Sequence, residues 1–307
     1  MKIIHAANEL NAGTRKVCLA IGFFDGVHLG HQQIIRQTIT DARQQEANAL
    51  VITFDRHPSA IVAPQRVPPL IYALSQKLRV IESLGADTLL LIRFDKAFSE
   101  QTAEAFIRSL ARDLGHVQSL CVGANFAFGH KRAGDVRLLK TLGVELRFAV
   151  HGIAAVSLDG QAVSSTRIRE SILAGDLDAA SQMMGRAYSL AGRVVSGDRL
   201  GRQLGFPTAN LDVTGLVLPP NGVYAVHADA GGKTHRAVLN IGHRPTLQDP
   251  NPQLRVEAHL LDYQGDLYGQ ELEVMFVEKL RDEKKFASLA ELRDEIAHDI
   301  QQAQLAF

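Results

Sequence analysis

The first half of the chain alternates short apolar runs with longer stretches of helical periodicity, and this alternation restricts the fold more than any other feature. Strand-forming runs joined through helices predict a parallel sheet that is covered by helices. We expect strands at 17–24, 49–54, 87–94, 117–122 and 144–150, and helices at 32–46, 76–84, 102–114 and 135–142. Ligands of such sheets bind at the carboxyl ends of the strands, so the loops that follow strands are the candidate binding segments.

The pattern changes after two short helical stretches between Ser164 and Gly185, the second of which Asp176 can cap. Beyond them the chain carries strand-like segments that are separated by glycine, proline and Asn-Gly turns, with no helices between them. We expect these strands at 188–195, 223–228, 235–241, 254–263 and 272–280. Short strands punctuated in this way predict a small antiparallel barrel or sandwich.

A last helix is expected at the end of the chain. Ser288 and Glu291 have the spacing of a capping box at its start. Apolar residues then recur at helical spacing and form one stripe, made of Leu289, Leu292, Ile296 and Ile300.

The charge balance argues against a nucleic-acid partner. Lys plus Arg number 33 and Asp plus Glu number 33, so the formal net charge of the 307 residues is zero. A broad basic surface is therefore not indicated, and any phosphate must be bound locally by a few side chains and backbone amides. Cys18 and Cys121 each lie in a strand-like run, and we expect buried thiols rather than a disulfide or a zinc site. The polar N-terminus and the short apolar runs predict a cytosolic protein without a membrane partner.

The segment Gly22-Phe-Phe-Asp-Gly-Val-His-Leu-Gly-His31 follows the first expected strand and opens the first expected helix. A helix start offers unpaired amides and a positive dipole end, which together suit a phosphate. His28 and His31 are three residues apart and can share one face of the first turn, where imidazoles can donate hydrogen bonds to a polyphosphate. A capping loop with two surface histidines is an alternative, and so is a metal pair without an obvious third ligand.

This segment resembles the His-x-Gly-His signature of the nucleotidyltransferase superfamily in its flavin form, which has Gly-Phe-Asp-Gly ahead of it. Asn125-Phe-Ala-Phe-Gly-His-Lys-Arg-Ala-Gly-Asp135 resembles the flavin-site loop of FMN adenylyltransferases. Ser164-Ser-Thr-Arg-Ile-Arg169 resembles the Ser-Ser-Thr-x-x-Arg motif that opens a helix against ATP phosphates. Taken singly, residues 125–134 are more typical of a glycine-containing surface loop. The hydroxyl-arginine motif, taken singly, is more typical of an ordinary N-cap with a solvated basic face.

The resemblance implies in-line attack of the FMN phosphate on the α-phosphorus of ATP, with release of pyrophosphate. Catalysis of this kind rests on positioning and charge stabilisation, and it needs no protein nucleophile. His28 and His31 are the implied catalytic residues, and Asn125 is the implied FMN contact. The implied ATP-binding residues are Gly22, Phe24, His28, His31, Ser164, Ser165, Thr166 and Arg167.

The segment Gly197-Asp-Arg-Leu-Gly-Arg-Gln-Leu-Gly205-Phe-Pro-Thr-Ala-Asn210 has glycines four residues apart, followed by Thr208 and Asn210 in an extended stretch. Residues i and i+2 of a strand point to the same face. A hydroxyl and an amide carbonyl on one face, beside a glycine-rich loop, can hold Mg²⁺ and phosphate oxygens. Considered alone, a glycine-rich hairpin with two polar strand residues is the simpler explanation.

This stretch resembles the Gly-Phe-Pro-Thr-Ala-Asn signature of riboflavin kinases, and segments 222–226, 240–246, 256–262, 267–269 and 280–286 occur in the order of that family. The general base of the family maps to Glu257, and a carboxylate near a primary hydroxyl can take its proton. From its pattern alone, Glu257 is equally a solvent-facing strand residue. The resemblance also implies Mg²⁺ at Thr208 and Asn210, flavin contacts at Glu257 and Arg281, and kinase ATP-binding residues Gly197, Gly201, Gly205, Thr208 and Asn210.

Nearly the whole chain resembles the bacterial bifunctional riboflavin kinase/FAD synthetases. We therefore expect an α/β Rossmann-like nucleotidyltransferase domain at residues 1–184, followed by a small antiparallel β-barrel domain with a C-terminal helix at residues 185–307. The implied reactions convert ATP and riboflavin to ADP and FMN, and then ATP and FMN to diphosphate and FAD, with Mg²⁺ as cofactor. The implied partners are small molecules only, and the implied assembly is a monomer or a weak homo-oligomer. In one alternative, only one domain is active and the other is a regulatory flavin-binding module; in another, the protein is a flavin carrier without catalytic activity.

Two segments depart from the pattern of that family. Arg56 stands where a proline is expected in Thr53-Phe-Asp-Arg-His-Pro58, and Pro69-Leu-Ile-Tyr-Ala-Leu-Ser-Gln-Lys77 lacks the usual arginine-leucine-threonine start. Both departures concern one side of the expected adenylylation cleft, and the His-x-Gly-His segment is intact.

Overall fold

The computed structural model describes residues 1–10, 16–198, 200–243 and 254–307. The chain divides into two compact units, Met1–Arg167 and Ile168–Phe307. Residue 199 of the glycine-rich segment and residues 244–246 of segment 240–246 lie outside the described residues. Within the part that is described, no helix is both long and apolar enough to cross a membrane.

The first unit is built on a six-stranded parallel sheet in the order β1-β4-β3-β2-β5-β6. The strands are β1 (Lys2–Ile4), β2 (Lys16–Ile21), β3 (Asn48–Phe54), β4 (Thr88–Ile92), β5 (His116–Gly123) and β6 (Ala149–Ile153). The helices are α1 (Leu29–Gln44), α2 (Ser59–Val62), α3 (Leu74–Ser83), α4 (Lys96–Ser99), α5 (Ala103–Leu114) and α6 (Val136–Leu146). A small hairpin of β7 (Ser157–Leu158) and β8 (Gln161–Ala162) follows. The predicted helix-covered parallel sheet is confirmed.

Both faces of the sheet are buried, which explains why its strands are apolar throughout. Leu19 and Ile21 of β2 pack in the cluster that contains residues of α5 and α6. Cys18 and Ala20 point the other way, into a cluster with residues of α1 and α3. Burial raises the pKa of the Cys121 thiol to about 12, so this side chain is an inert core residue as expected.

The strand order reverses between β2 and β5. From β2 the sheet continues through β3 and β4 on one side and through β5 and β6 on the other. Ligands of doubly wound sheets bind in the crevice outside the strand ends at such a point. The loops that follow β2 and β5 are the two that carry the Gly22–His31 and 125–135 segments.

One predicted strand of this unit begins too early, and three short strands, β1, β7 and β8, were not predicted. Residues 144–146 are helical, because α6 continues to Leu146 and ends at Arg147 in the left-handed conformation (φ 63°). Val144 is an apolar residue that is 84% exposed on that helix, and its apolar side chain led to the wrong prediction of a strand start there. The strand that we expected at 144–150 begins instead at Ala149. β1 has three residues and pairs with β4, and a run of this length is too short to be recognised as a strand pattern.

The second unit is centred on a closed six-stranded barrel in the order β10-β13-β12-β11-β14-β9. Two helices precede the barrel in the chain: α7 (Ser165–Ala174), which contains the division between Arg167 and Ile168, and α8 (Leu177–Met184). The barrel strands are β9 (Ser189–Val195), β10 (Ala209–Asp212), β11 (Gly222–Ala230), β12 (Lys233–His243), β13 (Leu254–Leu260) and β14 (Glu271–Arg281). Helix α9 (Leu200–Gln203) lies in the glycine-rich segment, and α10 (Leu289–Ala306) ends the chain.

The four-residue strand β10 closes the barrel, because it pairs antiparallel with both β9 and β13. The strand pattern alone left a barrel and a sandwich as alternatives, and the structure confirms the barrel that the family resemblance implied. The Asp176 cap is confirmed by its side chain, which accepts a hydrogen bond from the Ala179 amide at 3.0 Å. Gly185 ends α8 in the left-handed conformation, as predicted.

Helix α10 begins and packs largely as its sequence predicts. Ser288 Oγ accepts from the Glu291 amide at 3.2 Å, whereas the Glu291 carboxylate accepts from the Ala287 amide at 3.0 Å instead of from residue 288. The last part of the helix packs on the outside of the barrel, where Ile300 and Ala303 join a cluster with Val223 and other strand residues.

Candidate active sites

The loop after β2 has an unusual backbone. Phe24 (φ 55°), Gly26 (φ 71°) and Val27 (φ 39°) all have positive φ, two of them without being glycine. A Cβ at Gly22 would lie 2.6 Å from the Phe24 ring, so the buried ring requires glycine at that position. The Asp25 carboxylate accepts hydrogen bonds from the Ile71 amide at 3.0 and 3.2 Å. The conformation of the loop is therefore stabilised by a segment distant in sequence, at Ile71.

The two histidines of the signature stack on each other at the start of α1. Their ring centroids lie 3.6 Å apart at an interplanar angle of 21°. His28 is the N-cap of α1, and its Nδ1 accepts from the His31 amide at 3.4 Å. When Nδ1 of a neutral imidazole accepts, the proton is on Nε2 and can be donated. The pair thus presents ring nitrogens at a helix N-terminus beside the switch point of the sheet.

The Ser164–Arg167 segment contributes in two different ways. Ser164 Oγ accepts from the Arg167 amide at 3.2 Å and caps α7, and Ser165 Oγ donates to the Asp25 carbonyl at 3.0 Å. This second bond brings the start of α7 against the histidine loop. Thr166 is exposed. The Arg167 guanidinium, however, donates to the carbonyls of the β7–β8 hairpin at Leu158 (3.0 Å) and Gln161 (3.3 Å).

Asn125 is exposed in the turn that follows β5. The neighbouring Phe126 and Phe128 stack with ring centroids 5.2 Å apart. Phe128 continues into a chain of ring contacts, most of them edge-to-face, formed by Phe106, Phe98, Phe94 and Phe54. A flat aromatic ligand could stack on such a surface.

In the barrel, one row of paired residues carries the predicted kinase residues. Asn210 of β10 is paired with Glu257 of β13, and Glu257 with Asn240 of β12. Their strand neighbours, such as Val256 and Ala258, are buried in the barrel core. Since successive side chains of a strand alternate, the row points to the outside of the barrel.

The glycines of the 197–210 segment make room for two of these polar residues. A Cβ at Gly197 would lie 2.4 Å from the Asn210 amide nitrogen. A Cβ at Gly201 would lie 2.5 Å from the Phe206 carbonyl and 3.2 Å from Thr208 Oγ1. Gly205 has φ 92° in the turn before Phe206 and faces open space. Larger residues at the first two positions would displace Thr208 and Asn210.

The row opens into a cavity of about 560 Å³. Thr208, Asn210, Glu257 and Arg281 line it, together with apolar residues of the first half of α10, which are Leu289, Leu292 and Ile296. An apolar lining with a few polar groups is typical of a small-molecule site. All four residues of the expected apolar stripe of α10 line the cavity, and Ile300 also packs against the barrel.

Arg281 reaches the cavity from the end of β14, where α10 holds it. Its guanidinium donates to both carboxylate oxygens of the buried Asp299 at 2.7 Å. Glu295 lies 3.2 Å from the same group, and a hydrogen bond from Lys284 holds the pKa of Glu295 below its usual range. Arg281 is thus both a cavity residue and the tie between the barrel and its closing helix.

Sequence reasoning missed three residues around these sites. Asn240 lies in the row with Glu257, and the alternation of β12 could have revealed it. Glu283 accepts from the His243 amide at 2.8 Å and from Asn221 Nδ2 at 2.9 Å, at one rim of the cavity. Lys77 is 4% exposed near the loop after β2. No local pattern marks a buried lysine on a helix.

Known proteins resemble this chain over both units. A sequence model of FAD synthetase matches residues 10–167, and one of riboflavin kinase matches residues 184–307. The bifunctional riboflavin kinase/FMN adenylyltransferase of Escherichia coli (strain K12) is 38% identical over 301 residues, which are 97% of this chain and 96% of that protein. The chain belongs to this family. It is a transferase that combines a riboflavin kinase with an FMN adenylyltransferase.

Further relatives agree over the full length. The protein of the same name from Haemophilus influenzae is 35% identical over 308 residues, which are 100% of this chain and 99% of that one. The protein from Pseudomonas fluorescens is 37% identical over 304 residues. A crystal structure from Streptococcus pneumoniae, described as a macrolide-efflux protein, covers 99% of the bifunctional chain with 27% identity and a TM-score of 0.81. That likeness concerns the fold.

Proposed function

We propose that the two reactions of the family have separate sites in this chain. FMN is adenylylated at the carboxyl edge of the parallel sheet, and riboflavin is phosphorylated on the outer face of the barrel. The substrates are small molecules, the protein is a cytosolic monomer or weak homo-oligomer, and the kinase works without residues 1–167.

In the kinase site, Glu257 takes the proton of the ribityl 5′-hydroxyl as the oxygen attacks the γ-phosphorus of ATP. The new oxygen–phosphorus bond forms while the bond to the β–γ bridging oxygen breaks, and ADP leaves. Glu257 is placed for this by its position in the row with Asn210 and Asn240, which lines the cavity. The flavin ring fits the apolar wall that α10 provides.

Thr208 and Asn210 are suited to hold Mg²⁺ in this site. They offer a hydroxyl and an amide oxygen, and hard cations of this size bind through one or two protein oxygens plus substrate phosphates. At Gly197 and Gly201 the backbone approaches the side chains of Asn210 and Thr208 so closely that a Cβ would crowd them. When bound, Mg²⁺ supplies positive charge to the phosphate oxygens. Among the described residues, no cluster of three or more His, Cys, Asp or Glu side chains offers a competing metal site.

In the adenylylation site, an FMN phosphate oxygen attacks the α-phosphorus of ATP, and the bond to the α–β bridging oxygen breaks. His28 and His31 donate hydrogen bonds to the pyrophosphate as it takes up charge. The amides at the starts of α1 and α7 bind phosphate oxygens. The ATP-binding site is lined by Gly22, Ser164, Ser165 and Thr166. Arg167 serves this site by holding the β7–β8 hairpin. Asn125 and the adjacent phenylalanine surface bind the flavin.

The observation that carries this proposal is the stacked histidine pair, capping α1 where the sheet order reverses. The test is chromatography of products after incubation with riboflavin, ATP and Mg²⁺. His28→Ala should accumulate FMN and form FAD about 10²–10³-fold more slowly, since removal of one such donor typically costs that much. His116→Ala, an exposed histidine at the start of β5, should match the wild type. Wild-type FAD formation by His28→Ala would overturn the assignment.

A further inference from the structure

Lys77 is a buried cation beside the histidine loop. It lies on α3 and is 4% exposed. Lysine is almost never fully buried unless its ammonium group is paired, because an unpaired buried charge is costly. Its surroundings therefore have to be specific.

Three oxygen atoms receive the three ammonium hydrogens of Lys77. Nζ donates to the Phe54 carbonyl at 2.9 Å, to the Phe23 carbonyl at 3.2 Å and to Thr53 Oγ1 at 3.2 Å. Thr53 Oγ1 itself donates to the Phe23 carbonyl at 3.0 Å. Nζ also lies 4.4 Å from the centroid of the Phe23 ring. One lysine thus joins the loop after β2 to the end of β3.

The loop that Lys77 holds needs such support. Phe24 and Val27 are non-glycine residues at positive φ, and such residues persist only where surrounding structure enforces them. Phe23 directly precedes this part of the loop, and His28 directly follows it. Displacing the Phe23 carbonyl would therefore move the N-cap of α1 and the stacked imidazoles.

We propose that Lys77 is a positioning residue for adenylylation, which fixes the Gly22–His31 loop so that the two histidines meet the ATP phosphates. It acts through the Phe23 carbonyl and does not touch the reacting atoms. This inference rests on the proposed adenylylation site.

The charged form of Lys77 is the one that matches three acceptors, and pH can remove it. Burial lowers the pKa of Lys77 to about 8, while the charges of Asp25 and Asp55 act in the opposite direction. Asp55 is paired with Arg56, and the His57 ring makes an edge contact with the Phe23 ring, with the ring centroids 4.8 Å apart. A neutral amine has one donor fewer, so one carbonyl or the hydroxyl loses its partner as pH rises through about 8.

The test compares Lys77→Met, Lys77→Arg and the exposed control Lys140→Met in the full-length chain. For Lys77→Met, kcat of FAD formation from supplied FMN should fall about 10–10²-fold, as expected for a small displacement of catalytic groups. The KM for FMN should change little, and so should the rate of riboflavin phosphorylation. Amide hydrogen exchange should become faster at residues 23–31. Lys77→Arg should recover part of the loss, and Lys140→Met should show none.

A pH profile of the wild type provides a second test that needs no variant. FAD formation should decline as pH rises through about 8, and Lys77→Arg should move this decline to higher pH. The decline cannot come from unfolding through Lys77, because an amine with a lowered pKa in the folded state makes the fold more stable as pH rises in that range. Unchanged kcat in Lys77→Met overturns the inference, and so does a wild-type profile without the decline. If His28→Ala blocks FAD formation in the same assays, the proposed site survives that failure.

Discussion

Glu257 lies in a row with two amides, Asn210 and Asn240, neither of which can take a proton. Glu257 is therefore the member of the row that can act as a base. Strand pairing on both sides of β13 fixes its place in the row. The register leaves little freedom to place another acid there, since a shift by one residue would turn Glu257 into the barrel core.

We therefore predict that Glu257→Gln slows riboflavin phosphorylation by about 10²–10⁴-fold, the usual cost of losing a general base. Riboflavin binding should change little, because glutamine keeps the size and most hydrogen bonds of the side chain. Stopped assays of FMN formation, with fluorescence titration for binding, measure both effects. Glu278→Gln, an exposed carboxylate on β14, is the matched control. Near-normal turnover in Glu257→Gln would make Glu257 a structural residue.

The contacts of a single residue could be predicted from the sequence only where its partners are close to it in the chain. His28 and His31 were predictable as a pair, because three-residue spacing on a helix decides that they meet. The hydrogen bonds of Arg167 could not be predicted, since its guanidinium binds carbonyls of a hairpin whose position only the tertiary fold determines. Lys77 has the same difficulty, because its acceptors lie on two other strand ends.

At the scale of elements, α10 does more than cover the barrel. Its buried Asp299 binds the Arg281 guanidinium with two hydrogen bonds, while its first half lines the cavity. The apolar stripe predicted the helix, but no local pattern indicated this ion pair, whose partners are 18 residues apart.

We predict that Asp299→Asn lowers the free energy of unfolding of the second unit by about 1–3 kcal/mol, because the Arg281 charge loses its best partner in a partly buried site. KM for riboflavin should rise, because the freed guanidinium and helix no longer shape the cavity. Urea unfolding and kinase assays measure these effects. Asp294→Asn, exposed on the same helix, should change neither quantity. Unaltered stability and KM in Asp299→Asn would show that the pair is dispensable.

At the scale of the whole molecule, the two reactions should be separable. The residues proposed for the kinase all lie within Ile168–Phe307, and a unit of about 140 residues can bury enough apolar surface to fold alone. The structural division falls within α7, whereas the change in the pattern of strands and helices suggested a boundary near residue 185. Ile168, Ile172, Met183 and Met184 are buried side chains between these two positions.

We predict that fragment 168–307 folds and converts riboflavin to FMN with turnover close to that of the full chain. Fragment 185–307 should retain the same activity but melt at a lower temperature, since it lacks those apolar residues. Thermal unfolding and FMN assays of both fragments decide this. A folded fragment 168–307 that binds ATP but makes no FMN would show that the kinase borrows residues from 1–167.

The most direct test of the central claim mixes two defective full-length proteins. The claim is that one chain holds two independent sites, one dependent on His28 and the other on Glu257. Given riboflavin, ATP and Mg²⁺, His28→Ala alone should stop at FMN, and Glu257→Gln alone should leave riboflavin largely unconverted. Together they should form FAD, because FMN released by the first protein is adenylylated by the second. Chromatography that finds FAD from the mixture and from neither protein alone supports the claim, and a mixture that makes no FAD contradicts it.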